Sequence, residues 1–119
     1  MSDEKPVIYH NPLCSKSRET LELLQQHVSD PQIIDYLEEP PDADELRRII
    51  EMLGISARDL LRTTESVYQD AGLDDDSLED DEIIEAICEF PALMQRPIVV
   101  LGDKAIIGRP PTRVLDIIA

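Results

Sequence analysis

The sequence predicts an α/β fold, a small mixed four-stranded sheet with helices packed around it, and three observations carry that expectation. A short apolar run, Pro6 to Tyr9, is followed by a helix-periodic segment and by a second strand-like run, Gln32 to Tyr36. Two further apolar runs near the C-terminal end flank Gly102-Asp103, the pattern of a hairpin with a two-residue turn. The stretch between these two pairs has helical periodicity, so the element order is β-α-β, then helices, then β-β-α.

Each element has its own local reason. In Glu19 to Val28, Leu21, Leu24 and Val28 fall on one helix face, and Asp30-Pro31 ends the pattern. A strand-helix-strand unit of this length favours parallel pairing. Glu38-Glu39-Pro40-Pro41 forces a loop. Asp42 with Glu45 three residues on resembles a capping box, and Leu46, Ile49, Ile50 and Leu53 follow at helical spacing until Gly54. Ser56 caps a shorter helix through Leu61, with Arg62 at or just past its end. Tyr68 to Asp76 reads as turn, and Asp74-Asp75-Asp76 as a solvated loop leading to a helix first turn. Ile83, Ile84, Ile87 and Cys88 form the apolar stripe of the next helix, which ends before Pro91 and makes Cys88 a small core residue. The hairpin strands are Arg96 to Leu101 and Lys104 to Ile107, and Val114, Leu115 and Ile118 mark a final helix with a proline near its start.

Composition narrows the function. The chain's 119 residues suit one domain with one modest core, which 42% apolar residues can fill. Eleven basic against 26 acidic side chains, net −15, argue against nucleic acid and anionic membranes as partners, since both are polyanions. The same acidic, patch-poor surface suits a monomer. No apolar run approaches a membrane span, and Met1 to Pro6 lacks the features of a signal peptide, so a cytoplasmic protein is expected. Two cysteines, Cys14 and Cys88, match no zinc spacing, and a reducing compartment keeps them as thiols; no metal and no bound cofactor are expected.

The chemistry concentrates in His10-Asn11-Pro12-Leu13-Cys14-Ser15-Lys16-Ser17-Arg18, between the first strand and the first helix. A thiol at a helix entrance meets unpaired backbone N–H groups and the positive end of the helix dipole, which favour the thiolate. Lowering a thiol pKa by two units takes about 2.7 kcal/mol, within reach of a helix terminus aided by Lys16, Arg18 or a protonated His10. Ser17 stands where a C-x-x-C pair has its second cysteine; its hydroxyl can donate to sulfur but cannot form a disulfide. Cys14 is therefore a lone nucleophile whose reducing partner comes from outside the chain.

Tyr9-His10-Asn11-Pro12 with Cys14-Ser15-Lys16-Ser17-Arg18, then Leu60-Leu61-Arg62, Arg96-Pro97-Ile98-Val99-Val100 and Gly108-Arg109-Pro110, in this order, resemble the glutaredoxin-coupled arsenate reductase (ArsC) family. The resemblance implies a thioredoxin-like fold in a single domain over residues 1–119, with a helical insertion at approximately 42–90 and a cis bond between Arg96 and Pro97. It implies Cys14 as the nucleophile, Arg62, Arg96 and Arg109 as oxyanion-binding residues, and His10, Ser17 and Arg18 as residues that tune the thiol. Its substrate is arsenate, its co-substrate glutathione, and its protein partner glutaredoxin. A planar guanidinium grips a tetrahedral oxyanion through two parallel hydrogen bonds, so arginines suit that role. Screening over about 8 Å at physiological salt lets such a local cluster act despite the global negative charge.

The chain departs from the typical family pattern beside the cysteine. Leu13 stands where a small residue is usual, and Ser15-Lys16 where Gly-Thr is. Two other readings fit the same residues: a thiol enzyme acting on another oxyanion or on mixed disulfides, and a non-enzymatic regulator that binds a protein partner.

Overall fold

The computed structural model describes residues 5–118. Four strands, β1 (Val7–His10), β2 (Gln32–Asp35), β3 (Ile98–Leu101) and β4 (Lys104–Ile107), form one sheet in the order β2-β1-β3-β4. β1 and β2 are parallel, with His10 level with Asp35, whereas β1–β3 and β3–β4 are antiparallel. The mixed sheet is the one expected from the element order. Leu101 pairs with Lys104 across the two-residue turn, where Gly102 takes a left-handed φ of 64°.

The chain divides into two compact units, residues 1–39 with 96–119, and residues 40–95. The first holds the sheet and helix α1 (Ser15–His27), which begins directly after Cys14. Leu24 of α1, Ile8 and Val99 of the central strands, Ile106 of β4 and Val114 form its core, with Leu21, Val28, Leu115 and Ile118 packed around them. Leu21 and Leu24 of α1, which the spacing singles out, both pack in this core, and so does Leu23, which it does not. A 3-10 turn at Pro111–Val114 runs into a short last helix; in chain order the helices between are α2 (Ala43–Leu53), α3 (Ser66–Asp70) and α4 (Asp80–Glu89), and the last is α5 (Leu115–Ile118).

The second unit is helical. Asp42 caps α2 by accepting from the Glu45 N–H at 2.8 Å, and Gly54 closes it at a φ of 69°. Leu46 and Ile49 of α2 and Ile83, Ile84 and Ile87 of α4 are buried, and these two helices pack together. The α4 entrance carries a complete capping box between Glu79 and Glu82. Asp75 bonds Ser77 in the loop before it, which agrees with the reading of the aspartate run as solvated. Among the described residues no helix is long and apolar enough to cross a membrane.

Three local expectations need correction. Residues 66–70 form the helix α3 rather than turn; it has five residues and none buried, too short to show a periodic apolar face. The segment after Ser56 is a single 3-10 turn, Arg58–Leu60, rather than a longer helix. Cys88 is only half-buried, at the edge of the α4 stripe rather than in the core.

Gly108, just after β4, marks the tightest approach near the loop of interest. A Cβ there would lie 2.5 Å from Thr20 Oγ1 and 2.9 Å from Pro97 Cγ. Thr20 is fully buried and donates to the Lys16 C=O at 2.8 Å, so it has nowhere to retreat. Gly108→Ala is expected to lower the unfolding free energy by about 1–3 kcal/mol through overpacking, read from urea denaturation.

Candidate functional site

β1 ends at His10, and the backbone then turns sharply into α1. Asn11 builds the turn: its C=O accepts from the Cys14 N–H at 3.0 Å, and its Oδ1 accepts from the Leu13 N–H at 3.0 Å. Cys14 is the N-cap residue of α1, in extended conformation (φ −98°, ψ 122°). Its sulfur therefore faces the first free N–H groups of the helix. Leu13, the departure from the small residue usual before the cysteine, points into solvent with 87% of its surface exposed.

The half-buried Cys14 thiol has its pKa held below the ordinary value. Burial opposes ionisation, but the Ser17 N–H, the Arg96 guanidinium and the Lys16 N–H outweigh it. Arg109 approaches from the segment after β4, with Nη2 3.7 Å from Sγ and Nε donating to the Arg96 C=O at 2.7 Å. Arg96 and Arg109, thirteen residues apart in sequence, are thus held together beside one sulfur. The Arg109 contact is long and open to solvent.

His10 and Ser17 are buried beneath the loop. Ser17 Oγ lies 2.6 Å from His10 Nδ1 and accepts from the Asn11 N–H at 3.0 Å. Burial lowers the His10 pKa, Arg18 adds to that, and Asp35 pulls the other way. A neutral His10 can accept from the Ser17 hydroxyl, which leaves Oγ free to take the Asn11 proton. A protonated His10 is one of the sources of positive charge that the sequence offers; burial works against that charge, and the cations beside the sulfur are guanidinium groups. Ser17 likewise reaches the sulfur through its backbone N–H, while its hydroxyl is engaged with His10. Arg18 donates from Nη1 to the Pro12 C=O at 2.9 Å, and its N–H bonds the Cys14 C=O at 3.0 Å. It braces the loop and disfavours charge on His10.

Arg62 belongs to the helical unit, in the segment just after the 3-10 turn. Its N–H donates to the Leu93 C=O at 2.6 Å, and its Nε lies 3.7 Å from Glu65 Oε2. Two residues of the loop's surroundings had no role in the sequence reading. Asn11 was visible as part of an Asn-Pro turn signal. Tyr36, which follows β2 and is fully buried, was read only as the end of a strand.

Cys88 contrasts with Cys14. Burial, together with Asp42 and Glu85, holds its thiol above the ordinary value. Of the two cysteines, Cys14 is the one whose surroundings favour the thiolate. A thiolate flanked by two guanidinium groups and helix N–H groups is equipped to hold a small oxyanion and attack its central atom.

Comparison with known proteins places this arrangement. The ArsC family model matches residues 9–117. The Escherichia coli protein YfgD, described as uncharacterized, is 51% identical over 93% of this chain and 94% of its own. The arsenate reductase of Haemophilus influenzae is 48% identical, over 94% of this chain and 97% of its own. The structure of an arsenate reductase from Vibrio cholerae superposes with a TM-score of 0.92 at 47% identity, covering 98% of this chain and 99% of that one. The thioredoxin-like sheet, the placement of the cysteine at the mouth of α1 and similarity over nearly the whole chain make this protein a member of the ArsC family.

Proposed function

We propose that the protein is an arsenate reductase that uses the single nucleophile Cys14, with glutathione as co-substrate and glutaredoxin as the partner that restores the thiol. The observation that carries the reading is the depressed Cys14 thiol with Arg96 and Arg109 beside it. Its family membership and the arsenate reductases among its relatives support the choice of anion. The Cys14 thiolate attacks arsenic, an S–As bond forms, and one arsenate oxygen takes up protons and leaves as water. Glutathione then attacks, and the two sulfurs end as a Cys14–glutathione mixed disulfide. The two electrons they give up take arsenic from the +5 to the +3 state, and arsenite leaves. Glutaredoxin attacks the mixed disulfide, removes the glutathionyl group and returns Cys14 as a thiol.

Arg96 and Arg109 hold the anion and stabilise the charge that builds on its oxygens during attack. A guanidinium about 4 Å from such a charge supplies on the order of 4 kcal/mol at an effective dielectric near 20, before desolvation. Arg62 is assigned to the same anion on the motif order alone, and the two units are read as one catalytic domain. His10, Ser17 and Arg18 hold the loop geometry that exposes the sulfur to the helix N–H groups. No resident cofactor takes part, and the reaction belongs to a reducing compartment.

The test is arsenate-dependent oxidation of NADPH in a coupled system of glutathione, glutaredoxin and glutathione reductase. Turnover is expected with all components present, and loss of it when either glutathione or glutaredoxin is withheld. A protein that binds phosphate or sulfate as readily as arsenate and turns over none of them overturns the assignment.

A further inference from the structure

The strand ends bring three residues to one edge of the sheet. β1 and β2 end together at the His10–Asp35 pair, and the next residues of the two segments are Asn11 and Tyr36. Arg96 lies two residues before Ile98, which pairs with Tyr9 near the same end of β1. Tyr36, Asn11 and Arg96 therefore gather where the chain leaves the sheet for the loop that carries Cys14.

We propose that Tyr36 is a positioning residue whose buried hydroxyl links Arg96 to Asn11, and so fixes the guanidinium relative to the loop that presents Cys14. The inference rests on the reading of Cys14 as the nucleophile and names a residue through which Arg96 is oriented toward it. Tyr36 is fully buried, and its hydroxyl makes no hydrogen bond of standard geometry among the described residues. A phenol packed for bulk alone would leave that oxygen a liability that phenylalanine avoids. The polar groups that act on it are Arg96 and Asn11, which work against the upward push of burial on its pKa, with Cys14 also near enough to be felt.

Donor and acceptor inventory gives the direction of the link. Arginine only donates, so Arg96 gives a proton to the phenol oxygen. The phenol O–H then needs an acceptor, and Asn11 Oδ1 has a lone pair left after taking the Leu13 N–H. The resulting chain runs from guanidinium to phenol to amide to the Leu13 backbone, one residue before the nucleophile. It ties the cation at the sulfur to the turn that carries the sulfur.

Tyr36→Phe keeps the ring and removes only the hydroxyl. The measurement is the pH profile of Cys14 alkylation by iodoacetamide, without any anion and then with arsenate. The midpoint is expected to rise by about half a unit or more, which lowers the rate below the midpoint roughly threefold, with the rate above it unchanged. The arsenate concentration that half-protects Cys14 is expected to rise severalfold. In an Arg96→Ala background the same substitution is expected to move the midpoint no further, since its effect passes through Arg96. A lowered melting temperature with an unmoved midpoint overturns the proposal, because it leaves Tyr36 a packing role only. An unsubstituted protein that arsenate fails to protect would overturn the choice of substrate instead, and the anion-free midpoints would still decide the role of Tyr36. If Tyr36→Phe does not fold, ζ-carbon-labelled tyrosine in the unsubstituted protein decides: the Tyr36 resonance must move as Cys14 ionises, and one that stays still overturns the link.

Discussion

Cys14→Ser is expected to abolish arsenate-dependent glutathione oxidation, by at least about a thousandfold, while Cys88→Ser retains turnover. The asymmetry follows from two environments. Burial disfavours the Cys14 thiolate, yet the Ser17 and Lys16 N–H groups and the Arg96 guanidinium overcome it. At Cys88, burial and the carboxylates of Asp42 and Glu85 all favour the neutral thiol. A serine hydroxyl at position 14 would sit in the same field, but its proton is too tightly held for these groups to remove. The pH dependence has a defined sign. A thiol whose folded pKa is depressed adds stability that is complete above the ordinary thiol pKa and lost as the pH falls through the depressed value. Mass-resolved alkylation of the intact protein checks both points, with Cys14 modified at neutral pH and Cys88 requiring a more alkaline solution. Equal labelling of the two cysteines across the pH range contradicts the account.

Much of the fold is legible in the sequence because its elements are locally consistent. The α2 helix has a capping aspartate, a strong apolar stripe and a left-handed glycine end, and each is found in place. The hairpin is equally plain, because Gly102-Asp103 sits between two apolar runs of equal register. What escaped lacks periodicity. The α3 helix is a turn and a half of mostly exposed residues, and its boundaries are set by its surroundings rather than by an apolar stripe. Cys88 shows another limit: an apolar stripe names a helix face but not how far round that face the packing reaches.

At the site, the position of Cys14 could be read from the strand, turn and helix signals around it, and its chemistry from the physics of a helix N-terminus. The meeting of Arg96 and Arg109 beside it could not. That convergence depends on the β1–β3 pairing and on the turn after β4, contacts that join residues 80 or more positions away from the cysteine. The resemblance in motif order supplied what local reasoning could not reach. The downward push on the His10 pKa is hidden from the sequence for a similar reason, since it comes from burial among residues that sequence alone does not bring together. The gathering of Tyr36, Asn11 and Arg96, by contrast, follows from where the paired strands end, which becomes visible only once the sheet is known.

Arg96→Ala is expected to have the second-largest effect, because one side chain serves both partners of the reaction. It bears on the Cys14 sulfur by hydrogen bond and by charge, so its loss raises the pH midpoint of Cys14 alkylation. It also removes a preorganised donor from the anion, which costs about a hundredfold to a thousandfold in kcat/KM. The two losses can be separated. At a pH well above the raised midpoint the thiol is fully ionised in both proteins, and the deficit that remains belongs to the anion alone. Arg96→Lys divides them further: it keeps a positive charge near the sulfur, so the midpoint moves less, but it lacks the two-pronged grip, so arsenate turnover stays low. Arg109→Ala provides the comparison. Its guanidinium is exposed and 3.7 Å from the sulfur, so its removal is expected to raise KM for arsenate while moving the alkylation midpoint less than Arg96→Ala does. If Arg96→Ala leaves the midpoint where it is in the unsubstituted protein, the helix N–H groups alone sustain the thiolate, and the arginine serves only the anion.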